Sequence, residues 1–244
     1  MATGATDDSV HLWVADSPPV VPAALALLAP EEQARAARLG DGPPGRAFVA
    51  ARVLLRQALS WCHGVAAQDW RFEADAKGRP WIVQPAEATA LHFSLSHTSG
   101  CVACAVSTQR AIGVDVERAD RVIEMRSVGR VLTPFEQAWV TSEPDCARER
   151  LLRLWTLKEA FGKSVGLGLQ AALSSVGFVQ DAAGGESLHL QAVGGASLGS
   201  ARQWRIHARF ILALVSGAPA GQTHWHGVDP RALEPLQDGP TRPG

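Results

Sequence analysis

The chain has 244 residues, of which 46% are hydrophobic and 19% are charged, with 23 Lys and Arg against 24 Asp and Glu. This composition excludes a largely disordered chain, and the formal charge of -1 gives no basic excess for binding nucleic acid. Residues 1–8 lack the charged and apolar regions of a signal peptide, and no apolar run is long enough to span a membrane. We therefore expect one large or two small domains in the cytoplasm, with no membrane partner.

The first half of the chain begins with a predicted strand and two predicted helices. Residues 10–16 alternate like a strand, and residues 30–39 and 46–63 have the apolar periodicity of helices. The loop at 40–45 is rich in glycine but lacks the Gly-Lys-Ser/Thr ending of a phosphate-binding P-loop. The two helices carry several arginines, each of which taken alone is more often a solvated surface charge: Arg35, Arg38, Arg46 and Arg52.

Short strands follow. Residues 70–73 and 81–83 flank a turn and indicate a hairpin, and residues 92–98 and 101–106 indicate two more strands, with a further strand at 111–117 completing the first lobe. Cys101 and Cys104 have the spacing of a redox pair or of half a zinc site. Residues three apart on a strand face opposite sides, so we expect buried free thiols instead.

Two stretches in the middle of the chain carry the acids of interest. In the strand, Asp115 and Glu117 share one side while the alternate valines and isoleucine face a core. In a helix predicted from about residue 147 to residue 166, Glu159 and Lys163 share a face apart from the leucine stripe. Taken separately, these features describe solvated acids and a surface ion pair. Together, the three carboxylates would form an oxygen-only site of the kind that Mg²⁺ prefers.

The remaining sequence predicts short helices at 126–130 and 134–141, with Thr133 as the N-cap of the second. Strands are predicted at 175–180, 186–193, 203–209 and 210–215, with turns at 184–185 and 194–199. After residue 215 the tail is rich in proline and glycine, and residues 237–244 are predicted to be disordered. His224 and His226 could suggest a metal site, but with no third ligand nearby they favour an exposed strand edge.

Two motifs carry a resemblance to a known family. Gly-Val-Asp-Val-Glu at 113–117 is followed by Trp-Thr-Leu-Lys-Glu-Ala-Phe-Gly-Lys at 155–163 and Gly-Leu-Gly-Leu at 166–169. In this order and spacing they resemble the Sfp-type 4′-phosphopantetheinyl transferases. The resemblance implies an α+β fold of two similar (pseudo-duplicated) lobes, each a small, mainly antiparallel sheet packed with helices, with the active site in the cleft between them. We expect a coenzyme A-binding lobe at 1–117, a catalytic lobe at 118–218 and a partly disordered tail at 219–244.

The resemblance also implies the reaction and its machinery. The chain would transfer the 4′-phosphopantetheine arm of coenzyme A to a serine of an acyl or peptidyl carrier protein, as a Mg²⁺-dependent monomer in which Mn²⁺ can substitute. Asp115, Glu117 and Glu159 would hold the metal, Glu159 would act as the base, and Lys163 would stabilise the transferring phosphate. The alternative is a non-catalytic homologue that binds coenzyme A or a carrier protein.

The implied coenzyme contacts are mostly basic groups, since guanidinium groups match phosphate oxygens. The family has a basic residue early in the 30–39 helix, where this chain has Glu31 and Glu32. The carrier would dock on residues 118–135, where basic Arg118, Arg121, Arg126 and Arg130 alternate with apolar Val122, Ile123, Met125 and Val128. The expected coenzyme-binding residues are Arg35, Arg38, Arg46, Arg52, Arg79, Ser96, His97 and Lys158.

Overall fold

The computed structural model describes residues 9–75, 78–166, 174, 176–180, 187–192, 196–217 and 222–240, and the chain divides into two compact units. The first unit comprises Met1–Arg110 and Gly221–Val228, and the second comprises Ala111–Ala220 and Asp229–Gly244. The boundary expected after residue 117 was wrong, because the strand that begins at Ile112 pairs inside the sheet of the second unit.

The described helices, in chain order, are α1 (Pro22–Ala26), α2 (Pro30–Leu39), α3 (Pro43–His63), α4 (Met125–Val128), α5 (Pro134–Thr141) and α6 (Ala147–Val165). The described strands are β1 (Val10–Ala15), β2 (Arg71–Ala74), β3 (Pro80–Gln84), β4 (His92–Thr98), β5 (Cys101–Ser107), β6 (Ile112–Arg118), β7 (Val176–Gln180), β8 (Ser187–Ala192), β9 (Ser197–Ile206), β10 (Phe210–Ser216), β11 (Thr223–His226) and β12 (Leu233–Pro235). This mixture of helices and antiparallel sheets confirms the predicted α+β class.

The first unit contains a four-stranded sheet in the order β11-β1-β5-β4, with the β2–β3 hairpin apart from it. Helix α3 packs against this sheet, and its Leu55 and Leu59 are buried with Trp70 and Val102. The helix begins at Pro43, three residues earlier than predicted, because proline suits the first turn of a helix. All four cysteines are free, and Cys101 and Cys104 are buried in β5 as expected.

The second unit contains the larger sheet, in the order β6-β10-β9-β8-β7, with β12 added beside β9. All of its pairings are antiparallel. Helix α6 supplies Leu154, Leu157 and Phe161 to a core that includes Phe178 of β7. The leucine stripe predicted for this helix is therefore its buried face.

The described part of the tail, residues 222–240, forms two short strands, and its residues 237–240 belong to the stretch that was predicted to be disordered. Strand β11 pairs in parallel with β1 in the first unit, and β12 pairs with β9 in the second. Further on, the Gln180 N–H donates to the carbonyl of Pro240 at 3.0 Å, so the chain is still held there. Strand β9 also begins at Ser197, inside the stretch that was predicted to be a turn.

Some predictions lie outside the described residues. These are the glycine-leucine run at 167–169, the turns at 184–185 and 194–195, the strand ends at 175, 186 and 193, and the last four residues of the tail. Within the described part of the chain, none of the helices has the length and apolar character needed to cross a membrane.

Candidate active site

The site of interest lies in the second unit, where β6 and α6 approach closely. Gly113 makes this approach possible, because a methyl group built on it would overlap the carbonyl oxygen of Ala160 and crowd the backbone nitrogen of Ser164. Gly113, Asp115 and Glu117 share one side of the strand. Helix α6 therefore covers the acidic side of β6, and both acids are buried, at 4% and 8% exposure, where solvated acids were an alternative.

Each strand acid is paired with a cation. The Lys163 ammonium donates to Asp115 Oδ1 at 2.7 Å and to the Val114 carbonyl at 3.1 Å. Glu117 accepts a hydrogen bond from Arg121, whose guanidinium also lies over the Trp155 ring at 5.4 Å. The predicted neighbours Asp115 and Lys163 are thus in direct contact, although they lie 48 residues apart in the sequence.

Glu159 lies among the same charges. Burial raises the pKa of its carboxyl group, and the negative charge of Asp115 raises it further, whereas Lys163 and Arg121 oppose the rise. A carboxyl group whose pKa is raised by burial and by a neighbouring acid is a common feature of sites that hold a cation or transfer a proton. Glu159 is therefore partly buried, beside another acid and close to two positive groups.

The expected three-carboxylate metal site is not assembled. Among the residues that the structure describes, no three His, Cys, Asp or Glu side chains are arranged so that they could hold a metal ion. Two of the predicted ligands, Asp115 and Glu117, instead point their oxygens at Lys163 and Arg121. The oxygen-only donor set still suits Mg²⁺ chemically, and the repulsion between Asp115 and Glu159 is what a divalent cation would relieve.

Lys158, which was predicted to contact the coenzyme, is enclosed by other residues of the second unit. Its side chain is fully buried, pairs with Glu136 at 2.9 Å and donates to the carbonyl of Val176. Burial lowers the pKa of its ammonium group, and the charge of Glu136 opposes that change. Lys158 and Glu159 are consecutive residues of α6 but have different surroundings, because neighbouring residues on a helix project about 100° apart.

In the first unit, a groove of 460 Å³ lies beside α2, α3 and the β2–β3 hairpin, and Arg35 and Arg52 are among its lining residues. Both guanidinium groups lie over the ring of Phe48, at 5.0 and 5.3 Å. Arg52 also pairs with Glu32 at 3.4 Å. Glu32, one of the two acids at the start of α2, is thus an internal partner for Arg52.

The other predicted coenzyme contacts of the first unit are placed separately. Arg38 is exposed on α2, and the Arg46 Nε donates to the Asp41 carbonyl at 2.9 Å. Arg79 is exposed in the β2–β3 turn. On β4, Ser96 is buried and His97 is exposed, as expected for successive residues of a strand.

The segment predicted to dock a carrier contains local ion pairs. Arg118 pairs with Asp120, and Arg126 pairs with Glu124. Val122 is the most exposed of its apolar residues, at 67%. The side chain of Val128 lies outside the described residues.

Sequence reasoning missed Glu136 entirely. Its contribution to the N-terminal cap of α5 follows a recognisable pattern, Thr133-x-x-Glu136, and the structure confirms that capping box. The pattern gives no sign that the same carboxylate also binds Lys158, because that partner comes from another helix. The role of Arg121 against Glu117 was likewise not foreseen.

The fold and the site define an α+β protein whose second unit sets an acidic strand against a helix bearing glutamate and lysine, which are groups suited to phosphate chemistry. A family model described as the 4′-phosphopantetheinyl transferase superfamily matches residues 111–215, and one described as 4′-phosphopantetheinyl transferase, N-terminal, matches residues 13–109. The chain belongs to the 4′-phosphopantetheinyl transferase superfamily.

Curated relatives agree with this assignment. The 4′-phosphopantetheinyl transferase HetI of Nostoc is 34% identical over 66% of this chain and 70% of its own length. The 4′-phosphopantetheinyl transferase Sfp of Bacillus subtilis is 27% identical over 62% of this chain and 66% of its own. The L-aminoadipate-semialdehyde dehydrogenase-phosphopantetheinyl transferase of Xenopus laevis is 28% identical, over 61% and 53%.

Proposed function

We propose that the chain transfers the 4′-phosphopantetheine arm of coenzyme A to a serine of an acyl or peptidyl carrier protein and releases 3′,5′-ADP, as a holo-acyl-carrier-protein synthase does. The observation that carries the proposal is the grouping of Asp115, Glu159 and Lys163 on β6 and α6. Family membership and the names of the relatives support the same reaction.

Glu159 is the proposed base. The serine hydroxyl gives its proton to the Glu159 carboxylate while its oxygen attacks the β-phosphorus, and the bond from that phosphorus to the bridging oxygen breaks. The bridging oxygen leaves with 3′,5′-ADP. A carboxylate whose pKa is raised by burial and by Asp115 is a stronger base than an exposed glutamate, which favours this role.

Lys163 is proposed to supply positive charge to the phosphate oxygens. It follows Glu159 by about one helical turn, and its ammonium is already held on the acidic side of β6 by Asp115. An ammonium fixed in this way needs little reorganisation when negative charge develops on the phosphate.

The proposed metal ligands are Asp115, Glu117 and Glu159, whose carboxylate oxygens suit Mg²⁺ or Mn²⁺. When bound, the ion supplies charge that stabilises the phosphate oxygens and the leaving group. Asp115 contacts Lys163 through Oδ1, and Glu117 contacts Arg121 through Oε1, so each of these proposed ligands also has a cation beside it.

Coenzyme A and the carrier require further contacts. We assign the coenzyme phosphates to basic or polar groups of the first unit, namely Arg35, Arg38, Arg46, Arg52, Arg79, Ser96 and His97. Lys158 is removed from this set because it is enclosed. Residues 118–135 remain the proposed docking segment for the acidic surface of a carrier, with exposed Val122 as its apolar contact.

The test is the intact mass of an apo carrier protein incubated with this protein, coenzyme A and Mg²⁺. We expect a gain of about 340 Da that disappears with EDTA, since the reaction depends on a metal. A carrier with its serine replaced by alanine should gain nothing, and Glu159→Gln should abolish the gain while leaving the unfolding temperature unchanged or slightly higher. Tight coenzyme binding without any gain on several carriers would instead identify a non-catalytic binding protein.

A further inference from the structure

Lys158 and Glu136 form an ion pair that the proposed reaction does not use. Lys158 Nζ lies 2.9 Å from Glu136 Oε2, and both side chains have no exposed surface. Burying two charges costs several kcal/mol per ion unless further hydrogen bonds satisfy them. Lys158 also lies one residue before Glu159, the proposed base.

Glu136 connects two elements through the same carboxylate. Its Oε2 accepts a hydrogen bond from the backbone N–H of Thr133 at 2.7 Å, which closes the start of α5. Its Oε1 accepts one from the backbone N–H of Phe178 at 3.1 Å, in strand β7. Helix α5 and the large sheet are therefore joined at a single buried side chain.

Lys158 adds α6 to this junction. Besides Glu136, its ammonium donates to the carbonyl of Val176, and it lies 5.7 Å from the centre of the Phe178 ring. Phe135 of α5 contacts the same strand so closely that a methyl group built on Gly177 would overlap its ring. The lysine is thus anchored to rigid, well-packed backbone.

A fixed direction for Lys158 also fixes the direction of Glu159. Adjacent residues on a helix project about 100° apart, so a helix that cannot rotate at one residue cannot rotate at the next. On the other side of α6, Gly113 sets the distance to β6, and Lys163 bonds to Asp115. Gly113 and the contact of Lys163 with Asp115 set the distance between α6 and β6. The pair of Lys158 and Glu136 sets the rotation of α6 about its own axis.

We propose that Glu136 and Lys158 are positioning residues, which fix the rotation of α6 and so hold the Glu159 carboxylate beside Asp115. The inference rests on the proposed function, because it treats Glu159 as the reacting carboxylate. Neither residue touches substrate in this scheme. Their effect falls on the rate of the chemical step, since a misplacement of about 1 Å can cost about 100-fold in rate.

The test is the double variant Glu136→Gln/Lys158→Met. It removes both charges together, so that neither charge is left buried without its partner, and it keeps one amide oxygen as acceptor. The matched control is Arg150→Met. Arg150 joins the same two helices at the other end of α6 through the Trp139 carbonyl at 2.8 Å and the Ser142 hydroxyl.

The measurements are the unfolding temperature of each protein, and kcat and KM for coenzyme A at a temperature well below the lowest unfolding transition. We expect the double variant to be folded, with kcat lowered by about 100-fold and KM within about twofold of the wild type. The Arg150→Met control should have a lower unfolding temperature than the wild type and an unchanged kcat. A folded double variant with wild-type kcat would show that the pair is only structural and would overturn the proposal.

A second variant covers the case in which the double variant does not fold. Glu136→Asp keeps the charge and withdraws the carboxylate by one methylene, and it should lower kcat by about 10-fold at unchanged KM. An unchanged kcat in that variant would also overturn the proposal. If the wild-type protein transferred the arm to no carrier, the proposed function itself would be contradicted. The comparisons between variants require an active wild type, so failure of this proposal is distinguishable from failure of the proposed function.

Discussion

Gly113 allows β6 to lie close to α6. We expect Gly113→Ala to lower the free energy of unfolding by about 3 kcal/mol, because the new methyl group has no space beside the Ala160 carbonyl and the backbone must move. Any displacement of β6 also carries Asp115 away from Lys163, so transfer activity should fall with stability. Chemical denaturation followed by circular dichroism measures the first effect.

A matched glycine provides the control for that substitution. Gly217 is exposed after β10, and a methyl group built on it would meet nothing within 4 Å. Gly217→Ala should therefore leave the free energy of unfolding within about 0.5 kcal/mol of the wild type. If Gly113→Ala proved as mild as this control, the close packing of β6 against α6 would not be required by the fold.

Single residues also show the limit of what the sequence could predict about the site. Periodicity predicted the strand face of Asp115 and the shared helix face of Glu159 and Lys163, whereas their grouping across the two elements was implied by the resemblance to the transferase family. The enclosure of Lys158 was not predictable. Its partner Glu136 lies in a separate helix, and nothing in the local sequence specifies which buried acid meets which buried lysine.

At the scale of elements, local patterns predicted α2 and α5 accurately but missed α1 and β12. Helix α2 begins and ends where Pro30 and Gly40 predicted, and α5 starts at its predicted cap, Thr133. Pairing between distant strands was not predictable. Strand β6 follows β5 in the sequence but pairs with β10, and the register that joins Asp115 to Ala213 depends on the whole sheet.

Strand β11 carries a histidine, His226, that should make the stability of the fold depend on pH. His226 on this strand stacks on Trp13 at 4.3 Å, and its Nε2 lies 3.2 Å from His11 Nδ1. Burial lowers the pKa of His226, and the positive charge of His224 lowers it further. A histidine with a lowered pKa stabilises the fold above its ordinary pKa of about 6.5, and that contribution is lost as the pH falls through the lowered value.

We therefore expect the unfolding temperature of the wild type to fall more steeply than that of His226→Asn between about pH 7.5 and pH 5. Differential scanning calorimetry at a series of pH values makes the comparison. His92→Asn is the control, since His92 is an exposed histidine at the start of β4, and its pH dependence should match the wild type. If the unfolding temperatures of all three proteins fell equally with pH, protonation of His226 would not contribute to the pH dependence of stability.

At the scale of the whole molecule, the tail takes part in both compact units. Residues Gly221–Val228 belong to the first unit and Asp229–Gly244 to the second, so the chain leaves the second unit and later returns to it. This path was not predictable, because the proline- and glycine-rich composition of the tail is also the composition of disordered segments. Four residues of β11 and three of β12 are enough to complete two sheets.

Removing residues 222–244 should therefore destabilise both units at once. The truncation exposes the edge of β1, removes β12 from β9, and leaves the buried guanidinium of Arg153 without the Asp238 that it binds. We expect the unfolding temperature to fall by roughly 10 °C, which corresponds to about 3 kcal/mol for a chain of this size. A shorter truncation after Pro240 keeps both strands and the contact from Gln180 to Pro240, so its unfolding temperature should match the wild type. Equal unfolding temperatures for the two truncations would show that neither sheet depends on its tail strand.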